Sequence, residues 1–237
     1  MYTVAELKRW ALILPGKNER AAKDFIDCLI QAGRGMGMAI RLPQMVPLYD
    51  DRTHSYISAI ENTCKQDPEM VMCIVPNNNA ERYGSIKKKT CVERAIPSQV
   101  MVAKTVTPKG GNPRSLMSVA TKVAIQMNCK LGSAAWMIEL PLSGLMTVGY
   151  DLCRSTKDKK KSFGALVATM DMKLKAKYFS TVAPCHASDQ LSNEISVSIT
   201  KALQEYRLQH GTLPNRILLF RDSVGDGQIS QVITHEV

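Results

Sequence analysis

The first half of the chain alternates between apolar runs of strand length and segments whose apolar residues recur at helical spacing. The run Met70–Val75 is apolar at every position, which is typical of a parallel strand buried on both faces. Helical spacing marks the segments between the runs. The pattern predicts strands at Trp10–Pro15, around Ala39 and Ile40, at Met70–Val75 and at Gln99–Ala103. It predicts helices over about Glu19–Gly33, Ser55–Lys65, a segment around Tyr83, and Ser115–Cys129. Strands that alternate with helices indicate an α/β domain with a parallel, doubly wound sheet, Rossmann-like in outline.

The pattern changes after about Gly132. Three strand-like runs follow one another, then a long amphipathic helix and a fourth strand. The strands are predicted at Leu145–Leu152, Gly164–Met170, Tyr178–Val182 and Arg216–Phe220, and the helix at Leu191–His210. The charged segment Thr156–Lys161, between the first two strands, is predicted to be a solvated hairpin. Three strands, a helix and a strand match the first half of an RNase H-like fold. We therefore expect two domains, residues 1–135 and 136–237, with the chain ending inside a further helix.

Composition favours an acidic partner. The chain of 237 residues carries a formal net charge of +10, which points to nucleic acid ahead of a membrane surface. No apolar run approaches the roughly 20 residues needed to span a bilayer, and the N-terminus lacks a signal-peptide pattern. The seven cysteines show no C-x-x-C spacing and the four histidines are scattered, so we expect buried free thiols rather than disulfides or a zinc site.

Two pairs of polar residues repeat one spacing. Tyr83 and Lys87 lie four residues apart, as do Gln126 and Lys130, and residues i and i+4 share one face of a helix. Gln99 lies between the pairs in the sequence. Such donors near the start of a helix suit a phosphate, because the helix N-terminus also favours an anion. The alternative is that all five are ordinary surface residues.

Longer motifs decide between these readings. They are Arg82–Lys89 (RYGSIKKK), Pro97–Val100 (PSQV), Ala124–Gly132 (AIQMNCKLG), Met146–Asp151 (MTVGYD) and Phe220–Gln228 (FRDSVGDGQ). In order and spacing they resemble the MID and PIWI domains of Argonaute proteins. Gln126 stands where the AGO clade usually has a second lysine, so the resemblance is closest to the PIWI clade, which binds piRNAs. It implies a piece of a longer protein, with a PAZ domain before it and the rest of PIWI after it.

The resemblance also implies the partners. A single-stranded guide RNA would be held through its 5′ phosphate by Tyr83, Lys87, Gln99 and Lys130, with the tyrosine ring stacked on the first base. Mg²⁺ would replace the missing lysine charge, with Gln126 as an oxygen ligand. Complementary target RNA and other silencing-complex proteins are further expected partners. The expected location is cytoplasmic, of the germ-granule type, or nuclear, without secretion or membrane contact.

A loop rich in asparagine precedes Tyr83 and would pass beside a base stacked on that ring. Backbone groups of a rigid loop can read a base edge, and many PIWI-clade proteins prefer uridine through this loop. We therefore expect a moderate 5′-uridine preference. The alternative is that the asparagines contact phosphates or face water. The loop consists of Asn77, Asn78, Asn79, Ala80, Glu81 and Arg82.

Two acids form the second candidate site. Asp151 and Asp222 each follow an apolar strand, so they could meet on adjacent strands and bind paired Mg²⁺ ions; otherwise they cap strand ends. They match the first two acids of the PIWI cleavage site, but Gln190 stands in place of the family's glutamate. Cleavage is therefore doubtful, and a binding scaffold is favoured. The alternative to a guide-binding silencing protein is an enzyme that works without a guide, either a metal-dependent nuclease or a nucleotide-binding α/β enzyme.

Overall fold

The structure is a computed structural model of the 237-residue chain. It describes residues 1–108, 110, 112, 114–138, 140–154, 158, 161–171, 177–185, 188–221, 225, 227 and 229–235. The chain forms two compact units, Met1–Trp136 and Met137–Val237.

The first unit is built on a parallel sheet of four strands in the order β2-β1-β3-β4. The strands are β1 (Trp10–Pro15), β2 (Gln44–Leu48), β3 (Met70–Val75) and β4 (Ser98–Val102). All residues of β1 and β3 are buried, as the continuous apolar runs predicted, because helices cover both faces of these central strands. The predicted parallel α/β architecture is confirmed.

Crossover helices connect the strands of the first unit. They are α1 (Glu19–Gly35), α2 (Thr53–Cys64), α3 (Ala80–Lys87), the short α4 (Ala103–Val106) and α5 (Arg114–Lys130). A π-helical turn, Lys88–Glu93, continues α3. The apolar stripes of α1 and α5 pack with β1 and β3 in one core cluster, and α2 packs with Ile86 of α3 in a second cluster on the opposite face.

The strand predicted around Ala39 and Ile40 is wrong. Ile40 makes only an isolated bridge to Leu7, and the second strand lies four residues later, at Gln44–Leu48. β2 is the edge of the sheet and contains Pro47, which lacks an N–H. A proline is tolerated there because an edge strand leaves one side of its backbone unpaired. The proline and the partial exposure of the strand hid it from the apolar pattern.

The second unit has a four-stranded sheet in the order β7-β6-β5-β8. β5 (Leu145–Arg154), β6 (Ser162–Thr169) and β7 (Tyr178–Cys185) are antiparallel neighbours, and β8 (Arg216–Arg221) pairs parallel to β5. Helix α6 (Ser188–His210) covers one face with Ile195, Ala202 and Tyr206, and α7 (Ile229–His235) follows. The arrangement is that predicted for the first half of an RNase H-like fold. Most of the predicted Thr156–Lys161 hairpin lies outside the described residues.

The thiols agree only partly with the sequence prediction. None of the six described cysteines forms a disulfide, but only Cys28 and Cys73 among them are buried, whereas Cys91, Cys129 and Cys153 are exposed. Burial raises the pKa of the Cys73 thiol to about 12, so this thiol stays protonated at neutral pH. No helix within the described ranges is both long and apolar enough to cross a membrane.

Candidate guide-end pocket

Helix α3 runs from the carboxyl ends of the strands of the first sheet toward their amino ends, and Tyr83 and Lys87 lie along it. The helix begins after β3, at the carboxyl edge, and spans about 12 Å at 1.5 Å per residue. Its last residue, Lys87, reaches Ser98 at the start of β4, where the register pairs Val71 with Ser98. The asparagine loop thus lies at the carboxyl ends of the strands and Lys87 lies near their amino ends, with Tyr83 between them.

Two lysine ammonium groups meet at Ser98. Lys87 Nζ donates to the Ser98 carbonyl (3.2 Å) and to Ser98 Oγ (2.8 Å). Lys130 Nζ, from the end of α5, donates to the same carbonyl (2.7 Å) and to Gln99 Oε1 (2.6 Å). Within the described part of the chain neither ammonium pairs with a carboxylate. The described hydrogen bonds of both ammonium groups go to neutral oxygens, so positive charge is concentrated at Ser98.

The two glutamine amides have a fixed orientation. An ammonium can only donate, so Gln99 must turn its oxygen toward Lys130. Its Nε2 then donates to Gln126 Oε1 (3.1 Å), which leaves the Gln126 Nε2 group as a donor with no partner among the described residues. The pocket therefore presents N–H groups from Lys87, Lys130 and Gln126, which suits an anion.

The structure brings together all five residues that the sequence singled out for the phosphate. Ser98 and Gln99 form a buried floor, and Tyr83, Gln126 and Lys130 form exposed walls. Partial burial of the ammonium, and secondly repulsion from Lys87, lower the pKa of Lys130, while Cys91 opposes the shift. A bound anion would relieve this repulsion, because it places negative charge beside both ammonium groups.

The expectation that a helix N-terminus supplies the positive field is wrong for these residues. Lys87 lies where α3 passes into the π-helical turn Lys88–Glu93, and Gln126 and Lys130 lie in the last turns of α5. The C-terminal end of α5 carries partial negative charge, which favours a lysine such as Lys130 placed there. The positive charge of the pocket therefore comes from side chains and not from a helix N-terminus.

A shallow groove of about 300 Å³ lies beside Tyr83. Tyr83 is 52 % exposed, and the Lys87 ammonium lies 5.9 Å from the ring centre. The groove has an apolar base made by the ends of two strands and a polar rim made by the loop. Its lining residues are Val75, Asn77, Asn78, Asn79, Ala80, Tyr83, Val100, Met101 and Val102. A planar ring of nucleobase size could lie on Tyr83 here, near Lys87.

Arg82 holds the asparagine loop in one shape. The Asn79 side chain accepts from Arg82 N (2.7 Å) and caps α3. The Arg82 guanidinium donates to Asn77 Oδ1 (3.0 Å), and Asn79 N donates to the Asn77 carbonyl (3.0 Å). Two of the three asparagine side chains are therefore engaged within the loop. Asn77 and Asn79 use their side-chain oxygens within the loop, but both residues are exposed, so their Nδ2 groups can still contact phosphate or water.

The donor set around Gln126 fits Mg²⁺ only as one ligand among several. Gln126 Oε1 accepts from Gln99 Nε2 and keeps a second lone pair. The described residues contain no group of three or more His, Cys, Asp or Glu side chains that could hold a metal ion. Since Mg²⁺ usually combines a few protein oxygens with substrate phosphates and water, phosphates would have to supply most of the ligands.

Comparison with known proteins identifies the family. The Piwi domain model matches residues 70–237. Protein piwi of Drosophila melanogaster is 49 % identical over 231 residues, which cover 98 % of this chain and 27 % of the relative. The chain belongs to the PIWI clade of the Argonaute family.

Solved structures agree with this assignment. The crystal structure of Drosophila Piwi superimposes with a TM-score of 0.86 at 48 % identity, covering 98 % of this chain and 31 % of that one. An Argonaute of Marinitoga piezophila, crystallised with a 5′ OH guide RNA, gives a TM-score of 0.63 at 12 % identity and shares the fold. It is covered by this chain over 38 % of its length, and 98 % of this chain is matched. The PIWI-clade chain thus spans between 27 % and 38 % of the length of these relatives.

Of the two candidate acids of the second unit, only Asp151 lies among the described residues. Asp151 lies exposed on β5, and the register pairs Tyr150 with Arg221, the residues directly before Asp151 and Asp222. Asp222 itself lies outside the described residues. Gln190 lies in the first turn of α6, which begins at Ser188, whereas the sequence predicted a helix that begins at Leu191.

Sequence reasoning did not single out Ser98 and Thr90. Both are buried, at 4 % and 0 % exposure, and their hydroxyl oxygens lie 2.9 Å apart. The signal available was that two hydroxyl residues flank the lysine segment, one directly before Gln99. This signal is weak, because serine and threonine are common at strand starts and helix ends.

Proposed function

We propose that this chain is the guide-end-binding part of a piRNA-guided silencing protein. Its first unit, which we assign as the MID domain, holds the 5′ phosphate and the first base of a single-stranded guide RNA. The second unit, from about residue 136, is the first part of the PIWI domain. The observation that carries the proposal is the convergence of the Lys87 and Lys130 ammonium groups on the Ser98 carbonyl, without a neutralising carboxylate among their contacts.

Charge explains why a terminal phosphate fits better than a hydroxyl. A terminal phosphate carries close to two negative charges, and hydrogen bonds between charged groups are about twice as strong as neutral ones. Lys87, Lys130 and the free Gln126 Nε2 supply the donors. The exposed Tyr83 ring supplies a stacking surface for the first base, which contributes roughly 1–3 kcal/mol in single-strand binding.

The proposal includes a Mg²⁺ ion that binds together with the RNA phosphates. Gln126 is neutral where a lysine would add a positive charge, and its oxygen would hold the ion together with RNA phosphates. When bound, the ion supplies positive charge that neutralises the guide end. The phosphate preference is therefore expected to be larger in Mg²⁺ than in EDTA, and equal preference under both conditions would argue against a metal.

The test compares a 5′-phosphorylated RNA with its 5′-hydroxyl twin. The wild-type chain should bind the phosphorylated RNA more tightly, and Lys87→Ala should erase the difference. Lys88→Ala is the matched control, because it removes the same charge from an exposed neighbouring residue and should keep the preference. Equal binding of the two RNAs by the wild-type chain would refute the proposed function.

The second candidate function is Mg²⁺-dependent cleavage, which the placement of Asp151 beside β8 favours. We propose that this chain binds without cutting, because Gln190 offers a neutral amide where a metal-binding carboxylate is needed. The experiment incubates the guide-loaded chain with a complementary target RNA in Mg²⁺. Intact target is expected, and cleavage products that disappear in EDTA would contradict the binding role.

A further inference from the structure

A chain of hydroxyl groups runs behind the two lysines. Lys87 Nζ donates to Ser98 Oγ (2.8 Å), and Ser98 Oγ lies 2.9 Å from Thr90 Oγ1. Thr90 Oγ1 in turn lies 3.0 Å from the Ile86 carbonyl. Ser98 and Thr90 are both buried, so water does not compete for these hydrogen bonds.

The direction of each hydrogen bond follows from the two ends of this chain. An ammonium only donates and a carbonyl only accepts, so Ser98 Oγ accepts from Lys87 and Thr90 donates to Ile86. The remaining bond must then run from the Ser98 hydroxyl to Thr90 Oγ1. Each of the two hydroxyl protons therefore has an acceptor, and hydrogen bonds aligned in this way polarise and strengthen one another.

Local backbone geometry is specialised to bring Thr90 to Ser98. Thr90 lies in the π-helical turn after α3, and such turns often occur at functional sites. The Thr90 carbonyl accepts from Ile96 N (2.8 Å) and closes the turn. Ala95, between them, has a φ of 48°, which is unfavourable for a residue with a Cβ. The fold thus maintains a costly conformation three residues before Ser98.

We propose that Ser98, supported by Thr90, is the positioning residue of the phosphate pocket. Its carbonyl draws the two lysine ammonium groups together, and its hydroxyl fixes Lys87 so that the ammonium meets the phosphate without losing further side-chain freedom. This proposal rests on the proposed function, since it assigns a role within the same pocket. Ser98 acts through the lysines, so its removal should affect the phosphate and leave the rest of the RNA unaffected.

The experiment measures affinities of four variants for the 5′-phosphorylated and 5′-hydroxyl RNAs. Ser98→Ala is expected to weaken binding of the phosphorylated RNA by about three- to tenfold, the effect of roughly one net hydrogen bond. Binding of the hydroxyl RNA should change less than about twofold. Thr90→Val should give a smaller loss in the same direction, and Ser98→Thr, which keeps the hydroxyl, should restore most of the preference.

Thr121→Val is the matched control for the threonine. Its hydroxyl makes the same bond to the carbonyl four residues earlier, Met117 (2.9 Å), but it has no contact with Ser98. This variant should keep the full preference. If thermal unfolding shows that Ser98→Ala does not fold, Thr90→Val carries the test, because it keeps Ser98 and removes only the Thr90 hydroxyl with its bonds to Ser98 and to the Ile86 carbonyl.

The outcomes separate the two proposals. A wild-type chain that ignores the phosphate overturns the proposed function and the positioning role with it. A wild-type chain that prefers the phosphate, together with Ser98→Ala and Thr90→Val variants that prefer it equally, overturns the positioning role alone. Equal losses for both RNAs would show a general structural defect and would likewise overturn it.

Discussion

At the scale of single residues, the ammonium groups of Lys87 and Lys130 repel each other in the pocket without a bound anion. Partial burial and this repulsion lower the pKa of Lys130, so its charge is lost at a lower pH than that of an ordinary lysine. Affinity for a 5′-phosphorylated RNA should therefore decline as the pH rises through this lowered pKa, whereas affinity for the hydroxyl RNA should hardly change. Binding titrations of both RNAs across the alkaline range measure this.

Stability of the free chain should change in the opposite direction. Over the interval between the lowered folded pKa and the unfolded pKa, the unfolded chain binds more protons at Lys130, so the free energy of unfolding rises with pH. Lys130→Arg is the control, because arginine keeps its charge throughout and should flatten the decline in affinity. An identical decline in Lys130→Arg would show that another group is responsible.

The sequence predicted the members of the pocket better than their arrangement. The spacing of Tyr83 and Lys87, and of Gln126 and Lys130, places each pair on one helix face. It does not show that two helices bring their last turns to the same end of β4. Nor does it show that Ser98, an ordinary serine in the sequence, accepts from both ammonium groups. Such contacts depend on tertiary packing and are not encoded in local patterns.

At the scale of elements, the loop before α3 should determine the choice of the first base. Its Asn79 side chain caps α3, and Arg82 ties Asn77 to the same turn, so the backbone beside the groove is held rigidly. We expect a few-fold preference for uridine, about 1 kcal/mol, equivalent to one or two net hydrogen bonds. Titrating the chain with the four nucleoside monophosphates in Mg²⁺ measures it. Equal affinities, or tightest binding of adenosine monophosphate, would contradict base reading by this loop.

A variant of the helix cap tests the same element. Asn79→Ala should cost about 1 kcal/mol of stability, the usual effect of losing a capping side chain, and should reduce the uridine preference. Asn79→Ser retains a capping oxygen and should preserve both properties. Asn78→Ala removes an exposed amide from the same loop and is the control for stability. Full uridine preference in Asn79→Ala would show that the cap does not set the loop.

Elements with uniform burial were the ones that the sequence located well. Met70–Val75 is buried at every position and was predicted to the residue. The edge strand Gln44–Leu48 was missed because it is only partly buried and contains Pro47. The start of α6 was placed three residues late, because the polar first turn, Ser188–Gln190, carries no apolar periodicity.

At the scale of the whole molecule, the formal net charge of +10 predicts binding to any single-stranded RNA through long-range attraction. That attraction does not distinguish a phosphorylated from an unphosphorylated 5′ end. The distinction must come from the pocket, where two ammonium groups lie at one carbonyl. The two contributions can be separated because each phosphate charge neutralised by the protein releases counterions.

Salt dependence therefore measures the charge that the pocket neutralises. Affinities for both RNAs should fall with salt, but the logarithmic slope for the phosphorylated RNA should be steeper by about 1.0–1.4, since each neutralised charge contributes about 0.7 and the terminal phosphate carries 1.5–2. Titrations at four or more salt concentrations give both slopes. Lys87→Ala should reduce the difference between them, whereas Lys88→Ala should lower both slopes equally. Parallel slopes in the wild-type chain would mean that neutral hydrogen bonds, and not the paired lysines, recognise the guide end.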